Sequence, residues 1–267
     1  MNLTRLVSTV ADSPEPSAMS LAGRRVLVTG GAHRIGRRIC LDLAHAGASV
    51  TFSWLSAERQ ARTTLAELQA IDAGASAVRC DVTRLRDVRS LRDHLHHRGD
   101  GLDICINSAS PWEFDAFPLA DYASWHRVTR ASIDGCVYVC NELLSLLLKS
   151  SSPCIINVLD TIVRQPRTGL TAHAVGKAGL EALTRQLALE LAPRVRVNGL
   201  VPGPMLPQPD LSPKARRRVA DATLLGRWGT PEDVVRGVRF LIDSDFVTGS
   251  LLFIDGGESI AMHRRPR

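Results

Sequence analysis

The sequence predicts an α/β fold: a single doubly wound domain with a parallel sheet of about seven strands and helices on both faces. Short apolar runs alternate with longer stretches of helical periodicity along most of the chain. The runs are apolar at successive positions, as in strands covered on both faces. A glycine-rich turn separates the first run from the first helical stretch. Right-handed crossovers between parallel strands leave few topologies, and the doubly wound sheet is the favoured one. No linker or internal repeat interrupts the alternation, so one domain over residues 21–260 is expected from the 267-residue chain.

The elements follow in order. RVLVTG (25–30) reads as the first strand, and IGRRICLDLAHAG (35–47) as a helix closed by Gly47. SVTFSW (49–54) is the second strand, followed by a helix through AERQARTTLAELQAIDAG. SAVRCDV (76–82) is the third strand, with a helix through LRDVRSLRDHLHHRG behind it. LDICINSA (102–109) is the fourth, and one long helix is predicted through YASWHRVTRASIDGCVYVCNELLSLLLK. PCIINVL (153–159) is the fifth strand. The helix beginning near Gly169 leads to RVRVNGLVPGP, a helix over 231–242 and a last strand in SLLFIDGG.

Composition narrows the class. Hydrophobic residues make up 45% and charged residues 22%, which fits a globular chain with a sizeable core. The net charge of +6 is spread out, with local clusters at Lys214, Arg216, Arg217 and Arg218 and at Arg264, Arg265 and Arg267. No nucleic-acid motif accompanies them, so solvated surface, or an anionic cofactor or substrate, is the reading. The six cysteines (40, 80, 105, 136, 140 and 154) lack a CxxC pair and sit in apolar runs, as buried free thiols do in a reducing compartment. Cys136 and Cys140 share a helix face, but two thiols do not make a zinc site, and no metal is expected. No apolar run reaches the ~20 residues that span a bilayer, so no membrane partner and a cytoplasmic location are expected. Residues 1–20 lack a hydrophobic signal core and read as a disordered extension; residues 261–267 read as a basic tail.

The turn after the first strand is Thr29-Gly30-Gly31-Ala32-His33-Arg34-Ile35-Gly36. Small residues let the backbone approach a pyrophosphate, whose charge suits the following helix N-terminus. Gly30, His33, Arg34, Ile35 and Gly36 are therefore the candidate phosphate-binding residues. A dinucleotide with a free ribose 2′-hydroxyl normally meets a carboxylate after the second strand. Here that region is Phe52-Ser53-Trp54-Leu55-Ser56, with no carboxylate before Glu58. Arg34 offers a cation that could pair with a 2′-phosphate. Ser53 joins the candidate set, and the expected cofactor is NADP(H).

From about Leu21 to Gly257 the chain resembles the short-chain dehydrogenase/reductase family. The resemblance rests on the loop Thr29–Gly36 with Arg34 at the usual middle glycine, Asp81-Val82, Asn107-Ser108-Ala109-Ser110 and Pro202-Gly203, in that order. It implies a Rossmann-type fold and places Asp81 and Val82 near the adenine. Asn107, Ala109, Pro202 and Gly203 it assigns to the rest of the dinucleotide. The loop TGGAHRIG, the segment IINVLDTIVRQP and ALELAP followed by RVNG look closest to the pteridine-reductase-like branch. That implies NADPH-dependent reduction of a C=N or C=O bond in a small heterocyclic, pterin-like or biosynthetic substrate. It also implies a homodimer or homotetramer built on the long central helix and the catalytic helix. Leu143, Leu144, Leu147 and Leu148 fit either that interface or the core.

Most relatives carry an Asn-Ser-Tyr-Lys set, and the resemblance aligns it with Ser132, Asp160, His173 and Lys177. Only the lysine is kept, with Lys177 also a candidate ribose ligand. The two tyrosines, Tyr122 and Tyr138, lie outside the catalytic segment and read as structural. Reduction by hydride leaves an alkoxide or a basic nitrogen that a positioned acid must protonate. Histidine, with a reference pKa of about 6.5, can give that proton without the cation that tyrosine needs. A nearby Asp160 would orient the ring and favour its charged form, so Asp160, His173 and Lys177 form the expected catalytic set. Two alternatives stay open: a non-redox cyclisation or elimination on the same fold, or an NADP(H)-binding protein without turnover. The Pro- and Arg-rich segment 205–229 reads as a lid over substrate. Trp112, Glu113 and Phe114 read either as its opposite wall or as ordinary packing.

Overall fold

The computed structural model describes residues 20–207 and 210–263, so the expected extension (all but Ser20) and most of the basic tail lie outside the described residues. Seven strands form one parallel sheet: β1 (Arg25–Thr29), β2 (Ser49–Trp54), β3 (Ser76–Arg79), β4 (Ile104–Asn107), β5 (Cys154–Val158), β6 (Arg196–Pro202) and β7 (Leu251–Ile254). Their order is β3-β2-β1-β4-β5-β6-β7. The winding reverses between β1 and β4, which opens a crevice at the strands' carboxyl ends.

The helices are α1 (Arg34–His45), α2 (Glu58–Gln69), α3 (Leu85–His97), α4 (Ala123–Ser132), α5 (Asp134–Leu147), α6 (Thr171–Leu191), α7 (Pro213–Asp221) and α8 (Pro231–Asp243). The two-residue period of a strand sorts the core into two layers. Val26, Val28, Ile104 and Ile156 pack with residues of α1, α2 and α8. Leu27, Cys105, Ile155 and Val197 pack with α3, α5 and α6 on the other face. All six cysteines are buried free thiols. Leu143 and Leu147 belong to this core, with Leu144 and Leu148 packed against it. Among the described residues no helix is long and apolar enough to cross a membrane.

The structure corrects the single long central helix. The ladder breaks at Ile133 (φ −99°, ψ −70°), leaving α4 and α5 as consecutive pieces. Gly135 sits just beyond, where an added Cβ would stand 2.8 Å from a Val82 methyl, so α5 lies close on the segment after β3. β3 and β4 are shorter than expected, ending at Arg79 and Asn107. Beyond β4 the Ser108 and Ala109 N–H groups turn to Thr29 Oγ1 (3.0 and 3.1 Å). Asp81, beyond β3, accepts from the backbone and hydroxyl of Thr83 (3.0 and 2.7 Å). A short 3-10 helix covers Glu258–His263.

Candidate active site

The crevice starts at the glycine turn. Gly30 takes φ +69°, and a Cβ there would meet the Ala109 backbone at 2.9 Å. A Cβ on Gly36 would lie 2.3 Å from the Gly30 carbonyl oxygen. The turn thus closes tightly on the segment after β4, and only glycine fits at either position. α1 begins behind it without a side-chain cap and without an acidic residue in its first turn, whereas α8 has a full capping box. The first-turn N–H groups and the positive end of α1 therefore have no capping side chain, as an anionic pyrophosphate requires. Ser53 Oγ at the β2 end is buried and without a protein partner, another mark of a site that expects a ligand. The residues present fit a dinucleotide.

Arg34, with φ +51°, donates through Nη2 to the Leu206 carbonyl oxygen (2.9 Å). Its guanidinium therefore points to the β6 side, not to the β2 end where an adenosine ribose would lie. Arg79, paired in register with Trp54, stands at that end with its guanidinium 5.9 Å from the Trp54 ring centre. Its Nε donates to the Leu55 carbonyl (3.2 Å); Arg79 lies inside the expected third strand (76–82), so nothing in the sequence singled it out. Asn107 is buried and committed inward, donating to Asn157 Oδ1 (2.9 Å) and meeting the Cys136 and Cys140 sulfurs at 3.4 Å. Pro202 ends β6, and Gly203 donates to the Ile254 carbonyl (2.9 Å) with its Cα against Asp255.

The three expected catalytic side chains come together at the carboxyl end of β5 and the first turns of α6. Asp160 follows that strand and caps a 3-10 turn through Oδ1, which accepts from the Ile162 N–H (2.8 Å). Its other oxygen faces His173 Nε2 at 3.4 Å. His173 is buried, and its Nδ1 has no protein partner. Burial acts to raise the Asp160 pKa, but the His173 contact, the Ile162 N–H and the Arg167 charge outweigh it and hold the carboxyl below its usual range. Trp112 stands edge-on to the imidazole with ring centres 4.7 Å apart, and Phe114 lies against Trp112. Trp112 thus packs on His173 and remains 43% exposed.

Lys177 Nζ donates to the Val158 carbonyl oxygen (2.7 Å). Burial drives its pKa down to about 8, partly opposed by Asp160 and Cys136. Ser132, at the expected asparagine position, is buried with Oγ unpartnered and faces the Cα of Gly176. Tyr122 is exposed at the start of α4, and Tyr138 packs on the second core layer. Among the described residues no group of His, Cys, Asp and Glu stands at metal-binding spacing. The segment after β6 carries α7, with Trp228 Nε1 donating to the Arg216 carbonyl (2.9 Å). It borders an apolar groove of about 610 Å³ beside α8 and β7 that none of Asp160, His173 and Lys177 lines.

The depressed Lys177 pKa has a thermodynamic consequence. Between about 8 and 10.5 the unfolded chain holds a proton on Lys177 that the folded chain releases, so the contribution of Lys177 to stability rises with pH across this window, while the thiols of Cys40, Cys80, Cys105 and Cys154, held above their usual range by burial, and of Cys136, held there by the Cys140 contact and burial, contribute in the opposite sense. The rise is on the order of 3 kcal/mol. The difference in unfolding free energy between wild type and Lys177→Met, in which the thiols cancel, should rise with pH by that amount; parallel profiles would mean that the ammonium is not desolvated.

A doubly wound parallel sheet and an uncapped helix behind a glycine turn, with Asp160, His173 and Lys177 gathered beside β5, are the scaffold of a dinucleotide-binding oxidoreductase. The family model described as enoyl-(acyl carrier protein) reductase matches residues 30–259. The 3-oxoacyl-(acyl-carrier-protein) reductase FabG of Chlamydia pneumoniae is 30% identical, over 90% of this chain and 98% of its own length. The 3beta-hydroxysteroid dehydrogenase 1 of Eggerthella lenta is also 30% identical, over 90% of this chain and 95% of its own. Among solved structures, the Pseudomonas aeruginosa RhlG/NADP active-site complex superposes with a TM-score of 0.83 at 29% identity, covering 90% of this chain and 98% of that one. FolM alternative dihydrofolate reductase 1 from Brucella canis, complexed with NADP, gives 0.83 at 28% identity, covering 92% and 98%. The chain belongs to the short-chain dehydrogenase/reductase family.

Proposed function

We propose that this chain is an NADP(H)-dependent reductase acting on a C=O or C=N bond of a small heterocyclic, pterin-like or biosynthetic substrate. The observation that carries the reading is the buried His173–Asp160 pair, with Lys177 one helical turn away, at the end of β5. The resemblance of the loop and of the segment after β5 to the pteridine-reductase-like branch supports the substrate class, as does the likeness to FolM.

Gly30, Gly36 and the first turn of α1 would hold the pyrophosphate, with Ser53, Asp81 and Val82 toward the adenosine. Lys177, Ala109, Pro202 and Gly203 would stand toward the nicotinamide end, with Asn107 positioned through its buried contacts. The bound cofactor supplies the hydride. Asp160 orients the His173 ring through Nε2, which leaves Nδ1 to hold the proton for the alkoxide or amine nitrogen formed on the substrate. Lys177 adds positive potential beneath that centre when protonated, and the low dielectric of the buried site strengthens the interactions among these groups.

The test is a panel of dihydropteridine, ketosteroid and 3-oxoacyl thioester acceptors, read by loss of reduced-nicotinamide absorbance. Stoichiometric NADPH oxidation with one of them is expected. Tight NADPH binding with no oxidation across the panel would turn the reading to cyclisation, elimination or cofactor binding without turnover.

Cofactor preference provides a second expected outcome. Arg79→Ala should lower the NADPH-over-NADH ratio of kcat/KM by roughly ten-fold, the worth of one charge-assisted contact. Arg34→Ala should leave that ratio nearly unchanged; the opposite ranking would return the 2′-phosphate to Arg34. Self-association as a homodimer or homotetramer is assigned to the outer faces of α5 and α6, where Val137, Val175 and Leu189 are exposed. Size-exclusion chromatography with light scattering would read a single chain mass if that assignment is wrong.

A further inference from the structure

α6 has no cap of its own: the residue before it, Leu170, offers no side-chain acceptor to the first-turn N–H groups. The cap comes from the loop between β4 and α4. Asp115 Oδ2 accepts from the Ala172 N–H at 2.8 Å, across 57 residues of sequence. The same residue donates its own N–H to the Gly169 carbonyl (2.9 Å), accepts from Thr171 Oγ1 (3.4 Å) and pairs with Leu170 in an isolated parallel bridge. Asp115 is buried, and its Oδ1 has no partner.

The two chain segments joined here are the ones that meet at the proton donor. His173 directly follows Ala172 in α6, and Trp112, three residues before Asp115, stands edge-on to its ring. Phe114 lies 3.6 Å from where a Cβ on Gly169 would stand, so the contact continues on the entry side of the helix. A carboxylate at a helix N-terminus satisfies an orphan donor and complements the positive end of the helix.

We infer that Asp115 is a positioning residue for the reaction: by capping α6 from the loop after β4, it fixes His173 against Trp112. The inference rests on the reading of His173 as proton donor. Without the carboxylate, the first turn of α6 loses its only side-chain acceptor among those described, and the imidazole and the indole are free to shift apart. Misplacement of a reacting group by about 1 Å is enough to cost roughly 100-fold in rate.

The test compares Asp115→Ala with Asp115→Asn, which keeps an acceptor oxygen in the same place. Asp115→Ala is expected to lower kcat roughly 10- to 100-fold with the KM for NADPH nearly unchanged, and Asp115→Asn to restore most of it. A readout independent of turnover is the near-ultraviolet circular dichroism of Trp112, isolated as the difference from Trp112→Phe in each background. That signal should vanish in Asp115→Ala and survive in Asp115→Asn, while far-ultraviolet spectra of both stay those of a folded chain. Unchanged kcat and an unchanged Trp112 signal in Asp115→Ala would overturn the inference, as would equal losses in the Asn and Ala variants. If wild type turns over no acceptor, the proposed reduction falls, and the Trp112 signal alone still decides whether Asp115 fixes the contact.

Discussion

Replacing His173 with phenylalanine is expected to lower kcat by roughly 10²–10⁴-fold, the usual worth of a positioned general acid, with NADPH affinity nearly unchanged. The ring sits in α6 against Asp160 and Trp112, away from the glycine turn, so the cofactor half of the site has no contact to lose. Steady-state kinetics with the acceptor found in the panel, together with NADPH fluorescence titration, measures both quantities. Phenylalanine is larger than histidine and this position is buried, so His173→Gln is the companion variant that separates overpacking from lost proton transfer. Turnover retained in both variants would remove the imidazole from the chemistry. Turnover lost together with NADPH binding would point to a collapsed site. Asp160→Asn should fall between wild type and His173→Phe, because it keeps an acceptor for Nε2–H but removes the charge behind it.

The second large effect is expected at the glycine turn. Gly36→Ala places a methyl group 2.3 Å from the Gly30 carbonyl oxygen and 3.1 Å from the Gly31 Cα, which are backbone atoms that cannot swing aside. Either the turn opens or α1 moves off β1, and the N–H groups that would face a pyrophosphate lose their common aim. NADPH affinity should drop by roughly 100-fold, equivalent to two charge-assisted hydrogen bonds, and overpacking should cost about 1–3 kcal/mol of stability. Gly23→Ala is the matching control: that residue has φ +76° but nothing within 4 Å of an added Cβ. It should cost only the local strain of a left-handed alanine, about 1 kcal/mol, and leave NADPH binding intact. Isothermal titration and thermal unfolding on the two variants would expose any loss of binding in the control, which would mean that general destabilisation, not the closed turn, weakens the cofactor site.

The contrast between the two sites mirrors how each is written in the chain. The glycine turn is largely local: eight consecutive residues, Thr29–Gly36, join the end of β1 to the start of α1, so Gly30 and Gly36 were legible from the turn and its strand–helix context, although Ala109 closes on it from far along the chain. The proximity of the proposed acid–base residues was expected from the motif, but their arrangement was not. Asp160, His173 and Lys177 could be aligned by motif, yet the spacing does not say which imidazole nitrogen meets the carboxylate. Nor does it say that Lys177 engages the Val158 carbonyl. Arg34 shows the converse. Its charge suggested a 2′-phosphate, but the direction of a long side chain is fixed by its surroundings, and the Leu206 carbonyl lies within reach on the β6 side. Asp115 carried no signal at all, since nothing local marks a helix cap supplied from 57 residues away.

The alternation of strands and helices, the parallel sheet and the glycine turn were already specified by the order of residues along the chain. These depend on periodicity and on contacts between near neighbours in the chain. The break at Ile133, the short ends of β3 and β4, Arg79 at the adenosine end and the Asp115 cap on α6 were decided only when the sheet closed. Each depends on groups far apart in sequence competing for the same hydrogen bonds and the same space, and that competition has no local signature.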